Sequence, residues 1–351
     1  MTMQNPYGRQ RGLSLVELMV AMLLSLLLLY GVVTIFMGNR EAFKVQEALA
    51  RVQETGRYAI QTIVRDLRQA GYQGCDKGSA VLIENILNSA ADSGCSGFHP
   101  DLFGDPVKGY DAGSGAWSPA LDIANKEPMT SHPPLEASDV IEINIAQPLG
   151  VTVTQQPSDD SASIHTSPYA DLSVDDILLV TDCQKAAIFQ VTNLQNNSTN
   201  RSTVVHNQTS QACPGNASQA LDKNYTGAQV LRLVNRIYYI AAGASGEPAL
   251  FRIDNAGTAQ ELAEGVEAMA LTFGVDTDGD DVVDGGFKTA ANVASWGDVV
   301  AVKISLVVRS AEPRVLPANK AFSFNEGALD VSDRRLRKSF SATVALRNLL
   351  Q

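Results

Sequence analysis

The sequence has few of the features that mark enzymes, nucleic-acid binders or proteins built on disulfides. Its 351 residues include only four cysteines and four histidines, and aromatic residues make up 6% of the chain. Four cysteines are too few for a disulfide scaffold, and a chain of this length can fold around an apolar core without one. Lys and Arg number 27 against 38 Asp and Glu, a net charge of −11. Because nucleic-acid binders are typically basic, this balance argues against a nucleic-acid partner.

Motifs with a known catalytic or metal-binding mechanism are also missing. The sequence contains no HExxH, GxSxG, P-loop or GxGxxG, and no CxxC pair that would indicate a zinc site. The four histidines, His99, His132, His165 and His206, are scattered along the chain. Acidic residues are plentiful, but none can be singled out as a catalytic acid or base. The sequence therefore predicts a protein that is not an enzyme.

One long apolar run dominates the N-terminal part. Residues 13–37 contain a single charge, Glu17, and follow a short basic segment with Arg9 and Arg11. A helix of this length spans a hydrocarbon core of about 30 Å, and the preceding arginines favour a cytoplasmic start. A secretory signal peptide is shorter and ends in a small-residue cleavage site. The run therefore predicts a single-pass membrane helix, with a plain anchor as the simplest interpretation.

Two residues do not suit a plain anchor. Glu17 places a carboxylate inside the apolar run, where an acid is costly unless it has a partner. Gly12 directly precedes the run, and cleavage after it would create an ammonium group at Leu13, about one helical turn from Glu17. A carboxylate–ammonium pair then becomes available.

The segment RGLSLVELMVAMLLSLLLLYG, residues 11–31, resembles the class III signal of type IV prepilins. This resemblance implies that a prepilin peptidase cuts between Gly12 and Leu13 and that Leu13 is N-methylated. It also implies that Glu17 neutralises the N-terminal amine of a neighbouring subunit during assembly. Two residues depart from the usual pattern, since Leu13 stands where Phe is usual and Ser14 where Thr is common.

Beyond the apolar run, the helical period continues. Apolar residues from Val45 to Leu67 follow steps of mostly three and four, which gives one apolar stripe up to Gly71 and Gly74. We therefore expect one helix with a membrane-spanning half, residues 13–37, and an amphipathic half, residues 38–70. A juxtamembrane coiled coil is the alternative, although the stripe breaks at Gly56.

The remaining chain is predicted to form strands and loops. Residues 75–135 and 193–229 are rich in small and polar residues and are expected to be long loops. Strand-like apolar or alternating runs lie between and after them. These runs are Val140–Ala146, Ile177–Thr181, Ala187–Val191, Val230–Ile240, Ala270–Val275 and Val299–Val308.

The C-terminal half contains the segments QELAEGVEAMALTFGVDTDGDD, WGDVVAVKISLVVRS and SFSATVALRNLL, and GYQGC and VTDCQKAAIFQVT lie before them in the chain. Together these segments resemble the PilW family of minor pilins. With the N-terminal signal, this resemblance implies an α+β fold: a leader (residues 1–12), a long helix, and a β-rich periplasmic or extracellular head (residues 71–351). It implies a single-pass inner-membrane protein with its head in the periplasm that later joins the pilus at the cell surface.

As partners the resemblance implies the prepilin peptidase, other minor pilins and the major pilin, with the inner membrane holding the chain before assembly. Its role would be to prime pilus biogenesis and so support twitching motility and adhesion. Three alternatives stay open: a type II secretion pseudopilin, a calcium-dependent surface adhesin, and a membrane-anchored enzyme.

All four cysteines, Cys75, Cys95, Cys183 and Cys213, follow the membrane segment, on the side where disulfides persist. Four cysteines allow three connectivities. We expect the local pairs Cys75–Cys95 and Cys183–Cys213, which close loops of about 20 and 30 residues.

Acidic residues alternate along DTDGDDVVD, residues 276–284. Asp276, Asp278, Asp280 and Asp284 occupy positions 1, 3, 5 and 9 of a loop in which Val282 offers a backbone carbonyl. Calcium prefers six to eight oxygen ligands, and this spacing wraps alternate oxygens around one ion. Asp281 and Phe287 stand where an EF-hand has Gly and Glu, so the match is partial. The sequence predicts a weak calcium site, with a solvated acidic turn as the alternative.

Overall fold

A computed structural model describes most of the chain. The described residues are 14–75, 82–88, 105–113, 116–121, 127–136, 138–168, 171–198, 201–209, 214–255, 257–324, 327–329 and 331–348. The helices among these residues are α1 (Leu15–Leu67), α2 (Glu127–Ser131) and a 3-10 helix at Ala290–Asn292. The strands are β1 (Leu82–Asn85), β2 (Val107–Ala112), β3 (Trp117–Ser118), β4 (Val140–Gln155), β5 (Ser163–Thr166), β6 (Ile177–Thr181), β7 (Lys185–Gln190), β8 (Asn193–Ser198), β9 (Arg201–Val205), β10 (Gln229–Ala242), β11 (Pro248–Asp254), β12 (Gln260–Glu264), β13 (Val266–Val275), β14 (Phe287–Lys288), β15 (Val299–Arg309), β16 (Ser323–Phe324), β17 (Gly327–Ala328) and β18 (Arg337–Ala345).

Two large sheets, one two-stranded hairpin and one long helix make up the architecture of the described residues. The larger sheet follows the order β1-β7-β6-β10-β4-β5-β9-β8, with β11 and β12 added beside β10 and with β2 and β3 added beside β4. The smaller sheet has the order β14-β13-β15-β18, and β16 and β17 form a separate hairpin. This combination confirms the predicted α+β class of a long helix with a β-rich head.

The main core lies where the two sheets meet the second half of α1. Ile141, Ile143 and Ile145 of β4 contribute to it, and their strand is buried on both faces from Val140 to Ala146. Continuous burial explains why this segment is uniformly apolar except for two polar residues. One of these, Glu142, accepts hydrogen bonds from the Tyr110 hydroxyl and an Asn235 side chain. The core is therefore shared between the helix and both sheets.

The six predicted strands are all present, most of them longer than expected. The prediction of long loops at 75–135 and 193–229 is wrong in part. Strands β1, β2 and β3 and helix α2 lie in the first range, and β8 and β9 lie in the second. These elements are short or polar, so periodicity does not reveal them. In β8 and β9, strand pairing satisfies the backbone although the side chains give little apolar signal.

The predicted end of the helix is close to the observed one. α1 ends at Leu67, four residues before Gly71, which has a positive φ of 72°. The Asn348 side chain donates hydrogen bonds to the carbonyls of Arg68 and Ala70, both at 3.1 Å. Free carbonyls at a helix end need such partners. A residue close to the C-terminal strand thus caps the end of the N-terminal helix.

The predicted local disulfides are wrong for the pair that the structure describes. Cys75 is bonded to Cys183, 108 residues away, and not to Cys95. Gly74 packs against side chains of Thr181 and Leu231, which brings the segment after α1 onto the β6–β7 turn. The short loop between Cys75 and Cys95 favoured a local bond in the prediction. In the fold, Cys75 bonds to Cys183 because the β6–β7 turn lies next to the segment that follows α1.

The other two cysteines, Cys95 and Cys213, lie outside the described residues. Of the three connectivities of four cysteines, only one contains the Cys75–Cys183 bond. If both remaining cysteines are bonded within the chain, they are therefore bonded to each other.

Gly56 explains the break in the apolar stripe of α1. A Cβ atom at this position would lie 2.2 Å from a ring carbon of Phe340 on β18. Gly56 is buried, and Phe340 packs against the main core. The missing side chain lets the helix approach the sheet closely.

Replacing Gly56 with alanine should lower the free energy of unfolding by about 1–2 kcal/mol. The added methyl overpacks the contact with Phe340, and the better helix propensity of alanine offsets only part of that cost. Urea unfolding of the full chain in detergent, followed by tryptophan fluorescence, to which the buried Trp296 contributes, measures the change.

Gly38→Ala is the matched control, since nothing lies within 4 Å of a Cβ at that position in the same helix. It should be neutral or slightly stabilising. Equal effects of the two substitutions would show that Gly56 does not act through Phe340.

Candidate functional site

The start of α1 lies next to the predicted processing site. Ser14 caps the helix, and its Oγ accepts a hydrogen bond from the backbone N–H of Glu17 at 3.2 Å. Ser14 and Glu17 have the spacing of a capping box, a sequence signal for the start of a helix. Glu17 lies in the first turn, where the helix dipole favours a negative charge. Gly12 and Leu13 lie outside the described residues, so cleavage and methylation there stay predictions.

The first half of α1 makes no contact with the described part of the head. Every large apolar side chain from Leu15 to Met37 is at least 46% exposed. Soluble monomers do not leave apolar surface of this extent in water. Among the described residues, α1 is the one helix long and apolar enough to cross a membrane. This half therefore needs a lipid or protein environment.

The second half of α1 docks on the head. Buried residues begin at Val52 and continue through Ala59, Ile60, Ile63 and Leu67, which pack into the main core. Residues 38–51, by contrast, are exposed or only half-buried. The helix thus continues for about ten turns, from Leu15 to Arg51, before its docked segment begins.

Asp66 anchors the docked segment by charge. It is fully buried, and its Oδ1 lies 2.8 Å from a guanidinium nitrogen of Arg236 on β10. The Tyr238 hydroxyl donates a hydrogen bond to its Oδ2, and burial together with this carboxylate raises the pKa of Tyr238. This anchor was not predicted from the sequence. An acid between Ile63 and Leu67, on the apolar side of the helix, was the available signal.

Three aspartates of the loop after β13 converge. Carboxylate oxygens of Asp276, Asp278 and Asp284 lie within 4.8 Å of one another. Oxygens on opposite sides of one calcium ion are about 5 Å apart, since each lies 2.3–2.6 Å from the ion. Asp280 and the neighbouring Asp284 raise the pKa of Asp278 by charge repulsion. The cluster could hold a metal ion.

The loop geometry supports only part of the predicted ligand set. Asp280 is not in the cluster, and its Oδ1 accepts a hydrogen bond from the backbone N–H of Val282 instead. Asp276 accepts backbone hydrogen bonds from residues 278, 279 and 281, which fold the loop around it. Because a carboxylate has about four lone-pair sites, Asp276 keeps some capacity for a cation.

Comparisons with known proteins match both ends of the chain. Residues 7–33 match the family model of the prokaryotic N-terminal methylation motif, which implies peptidase processing and assembly with other pilins. Residues 237–348 match the model of the type IV pilus-assembly protein W, PilW. A search of curated proteins found no match.

A solved type IV-like pilin from Thermus thermophilus is similar at 11% identity, over 51% of this chain and 87% of that chain, with a TM-score of 0.21. The C-terminal family match covers β13, β15 and β18, three of the strands that contact α1. The N-terminal match covers most of the exposed half of the helix. The two family matches, at opposite ends of the chain, support a type IV minor pilin of the PilW family.

Proposed function

We propose that the chain is held in the inner membrane by residues 13–37 with its head in the periplasm, and that it later joins a type IV pilus at the cell surface. The observation that carries this proposal is the division of α1, whose apolar half is free of the head while its second half is docked. A free apolar helix can leave the bilayer only by burying its surface against other subunits. The function is thus packing, not catalysis.

Processing creates the positively charged N-terminal amine with which Glu17 can pair when subunits pack together. Cleavage between Gly12 and Leu13 creates an amine near Glu17, and methylation of Leu13 follows. The Glu17 side chain is exposed at the first turn of α1 and can reach the amine of a neighbouring subunit. Partners are the prepilin peptidase, other minor pilins and the major pilin. The complex would prime pilus assembly and support twitching motility and adhesion.

The test is the N-terminus and intact mass of the protein from cells that make a prepilin peptidase. A chain that begins at Leu13, heavier by one methyl group, is the expected result. A chain that still begins at Met1 would mean a plain membrane anchor and would remove the assembly mechanism.

A type II secretion pseudopilin would use the same helix. The match of residues 237–348 to PilW favours the pilus. Deletion of the gene separates the two roles: loss of twitching with intact protein secretion supports the pilus, and the reverse supports secretion.

We further propose that Asp276, Asp278 and Asp284 hold a calcium ion. Their oxygens converge at a suitable spacing, and Thr277 holds Asp284 in place through two hydrogen bonds to its Oδ2, which leaves Oδ1 open. The exposed position of the loop suits the weak affinity of extracellular calcium sites. Calcium would also support the adhesin alternative, in which the head attaches to a surface.

Calcium should raise the thermal midpoint of the purified full chain, and Asp278→Asn should remove that effect. The control is Asp280→Asn, which changes the same loop by the same charge but lies outside the cluster. It should keep most of the calcium response. A response unchanged in Asp278→Asn, or absent in the unmodified chain, would contradict the proposed site. Loss of surface attachment on chelation would favour the adhesin.

A further inference from the structure

The face of the smaller sheet that points away from α1 is polar. Side chains alternate across a strand, so Ile304 and Phe340 point to the main core while Ser305 and Ser341 point to the opposite side. Ala270 of β13, Ser305 of β15 and Ser341 of β18 form one cross-strand row on this outer face. The outer face is therefore separated by the sheet itself from the helix that the subunit uses for assembly.

A hairpin lies over part of this outer face and forms one wall of a groove. The connection between β15 and β18 contains β16 and β17, and residues of β16 face the sheet across a cavity of about 270 Å³. We call this cavity the outer groove. Its floor includes Ala270, Thr272, Lys303, Ser305 and Ser341, and its wall includes Phe324. Ligand pockets usually measure about 300–1,000 Å³, so the outer groove suits a single small ring.

Hydroxyl groups dominate the lining of the outer groove. The hydroxyls of Ser305 and Ser341 lie 3.0 Å apart and share one hydrogen bond. Those of Thr272, Ser323 and Ser339 have no hydrogen-bond partner among the described residues. Each hydroxyl can donate one hydrogen bond and accept two. The groove therefore matches a ligand that itself carries several hydroxyl groups.

One charged side chain lies in the outer groove. Lys303 is exposed and forms no ion pair with any described residue. No acidic side chain is found among the described residues that line the groove. In a chain of net charge −11, a cavity with an ammonium group and no carboxylate favours an anionic ligand. An ammonium–carboxylate hydrogen bond is about twice as strong as one between neutral groups.

The wall of the outer groove is aromatic. Phe324 is half-buried on β16 and lines the cavity above the polar floor. An aromatic ring offers apolar surface against which the C–H groups of a sugar ring can pack. Hydroxyls, one ammonium group and one aromatic ring together match the chemistry of a sugar that carries a carboxylate.

A larger cavity of the molecule shows no such preference. It measures about 660 Å³ and lies between α1 and the head. Five basic and five acidic side chains line it, so their charges cancel. Two of the basic residues, Arg309 and Arg335, already form ion pairs with Glu247. The outer groove is therefore the more selective of the two.

We propose that the outer groove binds a uronic acid unit of a polysaccharide. Lys303 holds the carboxylate, the serine and threonine hydroxyls bind the sugar hydroxyls, and Phe324 packs against the ring. The inference rests on the proposed role of the head in adhesion and gives that role a ligand class. Because the groove opens on the face opposite α1, it stays accessible when the helices of several subunits pack together.

Saturation-transfer NMR of the full chain, purified in detergent, tests the proposal. Methyl β-glucuronide at about 10 mM, which suits the weak affinity of a single sugar, should receive saturation from the protein. Methyl β-glucoside, in which a CH₂OH group replaces the carboxylate, should give a signal weaker by about tenfold. Lys303→Met should weaken the glucuronide signal by a similar factor, because it removes the charge and keeps the length of the side chain.

Lys338→Met is the matched control. Lys338 lies on β18 but on the side of α1, with its Nζ 5.8 Å from the ring centre of Phe340. The same charge is lost outside the groove, so glucuronide binding should be unchanged. Ser341→Leu, at an exposed position of the floor, should fill the groove and abolish the signal. Formation of the Cys75–Cys183 bond in each variant reports correct folding of the head.

Equal signals from the glucuronide and the glucoside would overturn the proposal. So would an absence of signal from the glucuronide, an unchanged signal in Lys303→Met, or displacement of the sugar by an equal concentration of acetate. The N-terminus of the same sample separates this inference from the proposed function. A chain cut after Gly12 that binds no glucuronide removes the sugar site alone, whereas an uncut chain removes the pilus assembly whether or not it binds the sugar.

Discussion

Glu17→Ala should leave the chain in the inner membrane but exclude it from pili. The carboxylate is costly in the apolar run, by about 2.5–3.5 kcal/mol at a bilayer centre, so its removal favours membrane insertion. The same change removes the charge that would pair with the amine at Leu13 of a neighbouring subunit. Membrane fractions should therefore contain the normal amount of the variant, and sheared pili should contain almost none.

Glu41→Ala is a suitable control for this experiment. Glu41 is an exposed acid on the same helix, four residues beyond the apolar run. Its loss should leave incorporation unchanged. Normal incorporation of Glu17→Ala would refute the proposal that this carboxylate sets the register of assembly.

Removing the Cys75–Cys183 bond should lower the free energy of unfolding by about 4–5 kcal/mol. The bond closes a loop of 108 residues, and chain-entropy arguments give a stabilisation of this size for so long a loop. The double variant Cys75→Ser, Cys183→Ser removes the bond without leaving a free thiol from the pair. Urea unfolding of the full chain in detergent, read by tryptophan fluorescence, to which the buried Trp296 contributes, measures the loss.

A second control separates the bond from the substitutions. The unmodified chain treated with a reductant should show at least this loss once the reduction is confirmed by mass, because the reductant also opens any bond between Cys95 and Cys213. If the double variant unfolds at nearly the same urea concentration as the oxidised chain, the 108-residue loop contributes little. Packing alone would then hold the segment after α1 against the β6–β7 turn.

The predictable parts of the fold are those in which burial is continuous along the chain. Apolar runs such as Val140–Ala146 and Ile177–Thr181 form strands of the larger sheet. The apolar stripe from Val45 to Leu67 forms the part of α1 that docks on the head. Polar strands such as β8 form because distant segments pair with them, and the partner of Cys75 is likewise set by which distant segment lies next to it. Local periodicity of the sequence does not show which distant segments come into contact.

The candidate site was predictable to a different degree. Glu17, Gly12 and Leu13 were found because an acid and a glycine stand out against an apolar run. Asp66 escaped notice because its buried partners are about 170 residues away, and the structure leaves Asp280 outside an aspartate cluster whose spacing had suggested it. Spacing within a loop does not fix which carboxylates converge.

The close contact between Gly56 and Phe340 has a consequence for the order in which the subunit is made. The helix is synthesised first and enters the bilayer early, yet the strand against which it rests, Arg337–Ala345, emerges more than 260 residues later. Contacts of such long range form late, because the intervening chain must first be ordered. In a nascent or truncated subunit, the helix would therefore lie in the membrane without being docked on this strand. Docking of the helix on Arg337–Ala345 thus indicates that synthesis and translocation of the head are complete.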